Sequence, residues 1–172
     1  MGLFEGLTVP AKQVLARATE AAAAMGSHEV EGAHLLVGFL DPDTVARLAV
    51  KAHLPDRDVV VAAAQRATLA SRDGAHPAFG DEVCLTLAAA RGIAVGRGSD
   101  TVGTGALLLA LLTLAPRSVE EVLAAVAADG GALKEAAGGW DDAAEPTGPP
   151  PGEAQPWTAT VATGADGWDD HR

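Results

Sequence analysis

The sequence predicts an all-α fold made of two related helical units that follow one another along the chain. Hydrophobic residues make up 48% of the 172 residues, whereas aromatic residues make up only 3% and tyrosine is absent. Alanine and leucine favour helices, and strands prefer β-branched and aromatic side chains. Glycine, proline and capping residues divide the chain into segments of helical length, and one motif recurs after 72 positions.

The first unit is predicted to contain four helices. Thr8 can cap the first helix, with Pro10 in its first turn, and Gly26 ends it. Further helices are predicted over about Gly32–Leu40, from Asp41-Pro42 to about Ala52, and from Pro55 to about Asp73-Gly74.

The second unit repeats this order. Helices are predicted over about Asp81–Val95 and about Thr104–Leu114. Ser118-Val119-Glu120-Glu121 fits a capping box that opens a helix to about Ala128, and Gly130-Gly131 is expected to close that helix. Residues 132–137 are long enough for one or two more turns, which gives about seven to eight helices in all.

The internal repeat has a constant offset without gaps. Leu7 aligns with Phe79, Val30 with Val102, Gly32 with Thr104, and Leu35-Leu36 with Leu107-Leu108. The sequence therefore predicts a pseudo-twofold bundle over residues 1–137, with repeat one at about 3–74 and repeat two at about 75–137. A groove between the repeats is the expected binding surface, because grooves between helices commonly hold peptides.

Residues 138–172 differ from the rest in composition. They hold seven acidic residues against one arginine and five of the ten prolines, which predicts a flexible, disordered acidic tail. Gly-Trp-Asp-Asp occurs twice, at 139–142 and 167–170. This repetition arises either by chance in a biased segment or from a pair of docking motifs in which tryptophan is the anchor.

The two units resemble a known family. The first reads Leu7-Thr8-Val9-Pro10-Ala11 and then His28-Glu29-Val30-Glu31-Gly32-Ala33-His34-Leu35-Leu36-Val37-Gly38, and the second reads Phe79-Gly80-Asp81-Glu82-Val83 and then Val102-Gly103-Thr104-Gly105-Ala106-Leu107-Leu108. With Leu3-Phe4-Glu5 before them, these segments resemble the N-terminal domain of ClpC- and ClpA-type protein unfoldases over about residues 3–137.

The resemblance implies two sets of site residues. A peptide or ligand cleft between the repeats would involve Phe4, Lys12, Phe79, Val83 and Cys84. A repeat-turn motif would comprise Val30, Gly32, His34, Val102, Gly103 and Thr104, with His34 as a structural hydrogen-bonding residue. In actinobacterial relatives this cleft also accepts cyclic peptide antibiotics.

One family feature is absent from the sequence. ClpC-type relatives hold the guanidinium of phosphoarginine with the turn glutamate of each repeat, and those positions are Ala33 and Gly105 here. A bidentate grip on a guanidinium needs a carboxylate or an equivalent planar acceptor. The family's mode of reading phosphoarginine is therefore not expected, and whether any phosphoarginine binding remains stays open.

Several classes of function are disfavoured by the sequence. The net charge of −11 disfavours nucleic-acid phosphates and anionic membranes, and one cysteine allows no intrachain disulfide. The only lysines are Lys12, Lys51 and Lys134, and no Gly-x-x-x-x-Gly-Lys-Ser/Thr motif occurs. Neither metal-ligand spacing nor a cofactor motif is present, so no cofactor is expected.

The function predicted is that of a non-catalytic peptide- or protein-binding module of the Clp protease system, as a stand-alone, cytoplasmic, monomeric protein without ATPase modules. It would act either as an adaptor that loads substrates onto an unfoldase or as a decoy for substrates or cyclic peptide antibiotics. One alternative is an interaction protein that docks through its tryptophan-bearing tail; another is an enzyme that uses Cys84. The sequence leaves the ligand open, and also whether the tail folds back into the cleft.

Overall fold

The computed structural model describes residues 2, 4–40, 46–68, 77–139 and 145 of the chain. Among these residues it contains eight helices and one two-stranded sheet, which confirms the predicted all-α fold. In chain order the elements are α1 (Val9–Ala24), β1 (Glu29–Val30), α2 (Gly32–Gly38), α3 (Arg47–His53), α4 (Arg57–Ala67), β2 (Ala78–Phe79), α5 (Asp81–Gly96), α6 (Thr104–Leu114), α7 (Arg117–Ala125) and α8 (Gly130–Gly138). Among the described helices, none combines the length and the apolar composition that a membrane-spanning segment needs.

The offset of 72 positions recurs in the helix boundaries. Both limits of α1 map onto both limits of α5, and two residues after each helix ends lies a left-handed glycine, Gly26 with φ +70° and Gly98 with φ +75°. The N–H groups of Ser27 and Ser99 then each donate to a carbonyl in the preceding helix at 2.9 Å. Glycine fits these positions because it has no Cβ to oppose a positive φ.

Short parallel pairings connect the two halves of the molecule. In the sheet, Val30 of β1 is the partner of Phe79 of β2, and an isolated parallel bridge joins Leu7 to Val102. The residues that open each repeat therefore pair with the turn of the other repeat. Exchanging the repeats converts one pair into the other, which is the pseudo-twofold relation that the sequence predicts.

The helices pack in an arrangement consistent with this symmetry. α1 packs on α2 and α5 packs on α6 within the repeats, while α4 packs on α7 and α3 packs on α8 across them. The apolar core is mostly leucine, valine and alanine, and its largest fully buried hydrophobic side chains are Phe39, Leu15, Leu35, Leu36, Leu87, Leu107, Leu108, Leu111 and Leu133. Burial of this apolar surface is the main stabilising contribution.

Gly38 allows α2 to approach α1 closely. A Cβ at Gly38 would meet the carbonyl oxygen of Val14 at 2.5 Å and the backbone nitrogen of Ala18 at 3.4 Å. The absence of a side chain therefore lets the end of α2 rest directly on the backbone of α1.

The helix starts confirm one predicted cap and correct two others. Thr8 caps α1, since its hydroxyl accepts from the N–H of Ala11 at 3.3 Å. The predicted capping box at Ser118 is wrong: α7 has Pro116 as its N-cap, so Ser118 lies inside the helix and its hydroxyl bonds elsewhere. Gly130 and Gly131 begin α8 rather than close α7, because the Asp129 carboxylate accepts from the N–H groups of Gly131 and Ala132 at the start of that helix.

Other boundaries differ slightly from the prediction. α2 ends at Gly38, two residues early, and α4 ends at Ala67, several residues before its predicted end, because Thr68 already has an extended backbone. The predicted start of the third helix at Asp41-Pro42 and the predicted end of the fourth at Asp73-Gly74 lie outside the described residues. The limits proposed for the two repeats and for the tail remain predictions.

Candidate functional site

Two of the three phenylalanines meet at the junction of the repeats. The ring centroids of Phe4 and Phe79 are 5.7 Å apart with an interplanar angle of 67°, an edge-to-face arrangement. Such pairs contribute about 0.5–1.5 kcal/mol beyond their buried area. Both rings remain partly exposed, so the pair offers an apolar surface as well as a contact.

The other residues predicted for the cleft lie in different surroundings. Val83 is fully buried in the core, so its side chain does not line an open surface. Cys84 is exposed on α5, and Lys12 is half-buried on α1. The structure thus brings Phe4 and Phe79 into contact and places Val83 beneath the surface.

The predicted repeat-turn residues are all buried. Val30, His34, Val102 and Thr104 are 3% exposed or less, and Gly32 and Gly103 are buried with them. They lie at or beside the N-terminal ends of α2 and α6, where the helix dipole and backbone N–H groups that have no acceptor within the helix favour negative charge. An acidic side chain is therefore favoured next to these two helix starts.

Glu82 supplies that negative charge to α2, although no motif in the sequence assigned it a role. Its Oε2 accepts from the N–H of Gly32 at 2.8 Å and from the hydroxyl of Ser118 at 2.8 Å. The same hydroxyl accepts from the N–H of Ala33 at 3.1 Å. Only the tertiary fold reveals this network, because its members are 36 to 85 positions apart.

A cavity of about 390 Å³ opens beside this network. Five carboxylates and two guanidinium groups are among its lining residues. The lining comprises Glu29, Glu31, Arg66, Ala67, Gly80, Asp81, Glu82, Arg117, Ser118 and Glu121. We call it the acidic cavity. Its excess of carboxylates favours a cationic group over an anionic one.

The carboxylates in this cavity repel one another. Burial, followed by the negative charges of Glu82, Glu29 and Glu121, raises the pKa of the Glu31 carboxyl above its ordinary value. A cation placed in the cavity would relieve that repulsion. The acidic cavity therefore has an electrostatic reason to bind a positively charged ligand.

His34 fixes the backbone at the edge of this region. Its Nδ1 accepts from the N–H of Glu31 at 2.9 Å, and burial lowers the pKa of the imidazole to about 4, against an opposing effect from Glu82. The ring is therefore neutral near pH 7 and carries its proton on Nε2, which has no hydrogen-bond partner among the described residues. The structural role that the resemblance implies for His34 remains a prediction.

Solved structures share this arrangement of helices. The N-terminal domain of the chaperone ClpD from Arabidopsis thaliana superposes with a TM-score of 0.62 at 19% identity, over 78% of this chain and 96% of that domain. The Hsp104 N-terminal domain from Candida albicans gives a TM-score of 0.64 at 19% identity, over 77% of this chain and 89% of that one. The chain has the Clp N-terminal domain fold.

One further structure with the Clp N-terminal fold is a complex. The ClpV N-domain with a VipB peptide superposes with a TM-score of 0.57 at 25% identity, over 77% of this chain and 85% of that chain. No family model and no curated protein matches the sequence.

Proposed function

We propose that this chain is a non-catalytic binding module that holds a peptide segment of a partner protein against the Phe4–Phe79 pair and the adjoining acidic cavity. The observation that carries the proposal is the position of these two features. Phe79 forms half of the aromatic pair, and the next residue, Gly80, lines the cavity. An apolar contact and a cation-favouring cavity therefore lie side by side.

The chemistry of this surface defines the preferred peptide. The exposed parts of the Phe4 and Phe79 rings suit an apolar side chain, and the five carboxylates suit an adjacent arginine or lysine. Carboxylates of the peptide, on a side chain or at a free C-terminus, would be repelled by the same cavity. The preferred segment is thus apolar and basic, which complements the net charge of −11.

Support from known structures comes from the fold. The ClpV N-domain, which shares the fold, has been solved with a VipB peptide. Binding of a peptide is therefore compatible with this helical scaffold. The 172 residues contain no P-loop motif, so the proposal assigns no nucleotide hydrolysis to them.

Titration with a synthetic peptide tests the proposal. The probe is a blocked nonapeptide with one leucine and two arginines in a glycine–serine background, followed by NMR shifts of the Phe79 and Gly80 amides. Saturable binding is expected. Phe79→Ala should raise the Kd at least about tenfold, which corresponds to a loss of about 1.4 kcal/mol of binding free energy. Leu114→Ala, at an exposed apolar residue of α6, is the matched control and should bind like the wild type.

The electrostatic part has its own control. Glu29→Gln combined with Glu121→Gln should weaken binding of the arginine peptide, whereas Glu135→Gln, at an exposed acid of α8, should not. A version of the peptide with glutamate in place of arginine should bind far more weakly. Equal binding of both peptides, or of the Phe79→Ala and wild-type chains, would refute the proposed site.

Two biological roles follow from such a module, and they predict different partners. An adaptor would also bind a Clp unfoldase, and it should co-purify with the assembled hexamer. A decoy would bind only the free segment or a cyclic peptide, and it should reduce binding of that ligand to the unfoldase.

The tail-docking alternative rests on tryptophans that lie outside the described residues. The enzyme alternative rests on Cys84, which is exposed on α5.

A further inference from the structure

A carboxylate from beyond the last helix is buried in the helical domain. Glu145 lies six positions after Gly139, yet only 4% of it is exposed. Acidic side chains are rarely buried so completely unless their oxygens have strong partners. The position of Glu145 therefore requires a set of donors around it.

Three donors from the two repeats surround this carboxylate. Oε2 accepts from the Thr8 hydroxyl at 2.7 Å and from the backbone N–H of Thr104 at 2.9 Å, and Oε1 accepts from the Thr104 hydroxyl. Thr8 caps α1, and Thr104 begins α6. We call these two residues the threonine pocket.

The hydroxyl groups are oriented to donate. The Thr8 oxygen accepts from the N–H of Ala11 at 3.3 Å, and the Thr104 oxygen accepts from the N–H of Ala46 at 3.3 Å. Each hydroxyl has a single hydrogen, which is directed at Glu145 in this arrangement. The threonine pocket thus presents donors to an ionised carboxylate, and a neutral amide would place its NH₂ group against a donor.

The other repeat shows why the carboxylate comes from the tail. At the start of α2, the N–H of Gly32 donates to Glu82 on α5. The offset of 72 positions takes Gly32 to Thr104, but it takes Glu82 back to Pro10, which has no carboxylate. One helix start therefore has an acid built into the fold, and the other receives its acid from outside the helices.

We propose that the threonine pocket is a carboxylate-binding site whose resident ligand is Glu145, and that it takes a carboxylate of an acidic peptide when Glu145 is withdrawn. This site is separate from the function proposed above, because it selects anions through hydroxyl and N–H donors, whereas the acidic cavity selects cations. Glu145 acts as a tethered competitor that keeps the site closed in the resting chain.

The experiment uses the full chain with Glu145→Ala. The probe is a blocked peptide of residues 141–149, whose binding is followed by the NMR shift of the Thr104 amide. Saturable binding to the variant is expected. The apparent Kd should be at least about tenfold higher for the wild type, because Glu145 leaves the threonine pocket open in about a tenth of wild-type molecules or fewer. Glu153→Ala removes another acid of the tail and should behave like the wild type.

Two comparisons test the chemistry of the threonine pocket. The same peptide with glutamine in place of its glutamate should give no saturable shift, and the double variant Thr104→Val/Glu145→Ala should lose binding of the original peptide. Shifts of the Phe79 amide report on binding at the Phe4–Phe79 pair and the acidic cavity. A negative result at that site therefore does not affect the result at the threonine pocket.

Clear outcomes would overturn the proposal. These are equal Kd values for the wild-type and Glu145→Ala chains, no binding by a folded Glu145→Ala chain, or equal binding of the glutamine peptide. Glu145→Gln, which keeps the side-chain volume, replaces the alanine variant if that variant does not fold. If neither variant folds, the proposal also fails, because a site that exists only around its own ligand cannot accept another.

Discussion

Replacing Gly38 with alanine tests the α1–α2 contact that the structure places at the centre of repeat one. The added Cβ would lie 2.5 Å from the Val14 carbonyl oxygen and 3.3 Å from Val14 Cγ1. Ordinary carbon–oxygen contacts are about 3.3 Å or longer, so the helices must separate by roughly 0.8 Å or distort. The nearest atom belongs to the backbone of α1 and cannot rotate away.

The energetic consequence combines two opposing contributions. Overpacking of a close-packed interior costs about 1–3 kcal/mol, and the backbone contact places this case at the upper end. Alanine gains up to about 1 kcal/mol over glycine in helix propensity, less at a helix end. We expect a net loss of about 2 kcal/mol, which is a large part of the total stability of roughly 5–15 kcal/mol.

Urea unfolding followed by circular dichroism measures this loss directly. For a domain of this size it corresponds to a fall in Tm of about 4–8 °C. Gly92→Ala is the matched control, because Gly92 lies within α5 and a Cβ there meets nothing within 4 Å. That change should raise stability by up to about 1 kcal/mol.

The pair of variants makes the result decisive. If Gly38→Ala were as stable as the wild type while Gly92→Ala gained stability as expected, the close approach of α2 to α1 would be refuted. If both variants lost stability equally, the loss could not be assigned to the contact with Val14.

The remaining predictions concern titration, capping and thiol access. Burial lowers the folded-state pKa of His34 to about 4, so the imidazole of the unfolded chain takes up a proton at a higher pH than the imidazole of the folded chain. The free energy of unfolding should therefore fall by up to roughly 3 kcal/mol as the pH drops from 6.5 to 4. The raised pKa of the Glu31 carboxyl partly offsets this loss, because the folded chain binds that proton more readily than the unfolded chain. Urea unfolding at several pH values should show a weaker pH dependence of stability for His34→Gln than for the wild type. Asp129→Ala should cost about 1 kcal/mol because its carboxylate accepts from two N–H groups of α8, whereas Asp56→Ala, which removes no side-chain cap bond, should cost less in the same assay. Cys84 should react with one equivalent of Ellman's reagent without denaturant, and a rate above that of the unfolded chain would support the enzyme alternative.

Local rules predicted the regular elements well. The Thr8 cap, the Gly26 stop and the start of α6 at Thr104 follow from residue types within one turn of each boundary. The same rules failed at Ser118 because tertiary structure gave its hydroxyl better partners: it donates to Glu82 and accepts from the N–H of Ala33. A capping pattern indicates only what a side chain can do locally.

The site residues implied by the resemblance remain predictions. The resemblance identified Phe4 and Phe79, and the structure shows their rings in contact. It also suggested Val83 for the cleft, but that residue is fully buried on the inward face of α5. The acidic cavity was not predicted, because its lining comes from segments between Glu29 and Glu121 that are distant in sequence.

The sequence by itself determined the helical fold and its duplication, because helix propensity, capping residues and a gapless offset of 72 positions are local or one-dimensional properties. Only the tertiary structure decided where charge is buried. Gly32 and Thr104 begin equivalent helices, and each N–H needs an acceptor, yet one takes Glu82 from α5 and the other takes Glu145 from beyond α8. The physical reason is that the N–H groups at a helix N-terminus can donate to any carboxylate that the packing brings within reach, whatever its distance along the chain.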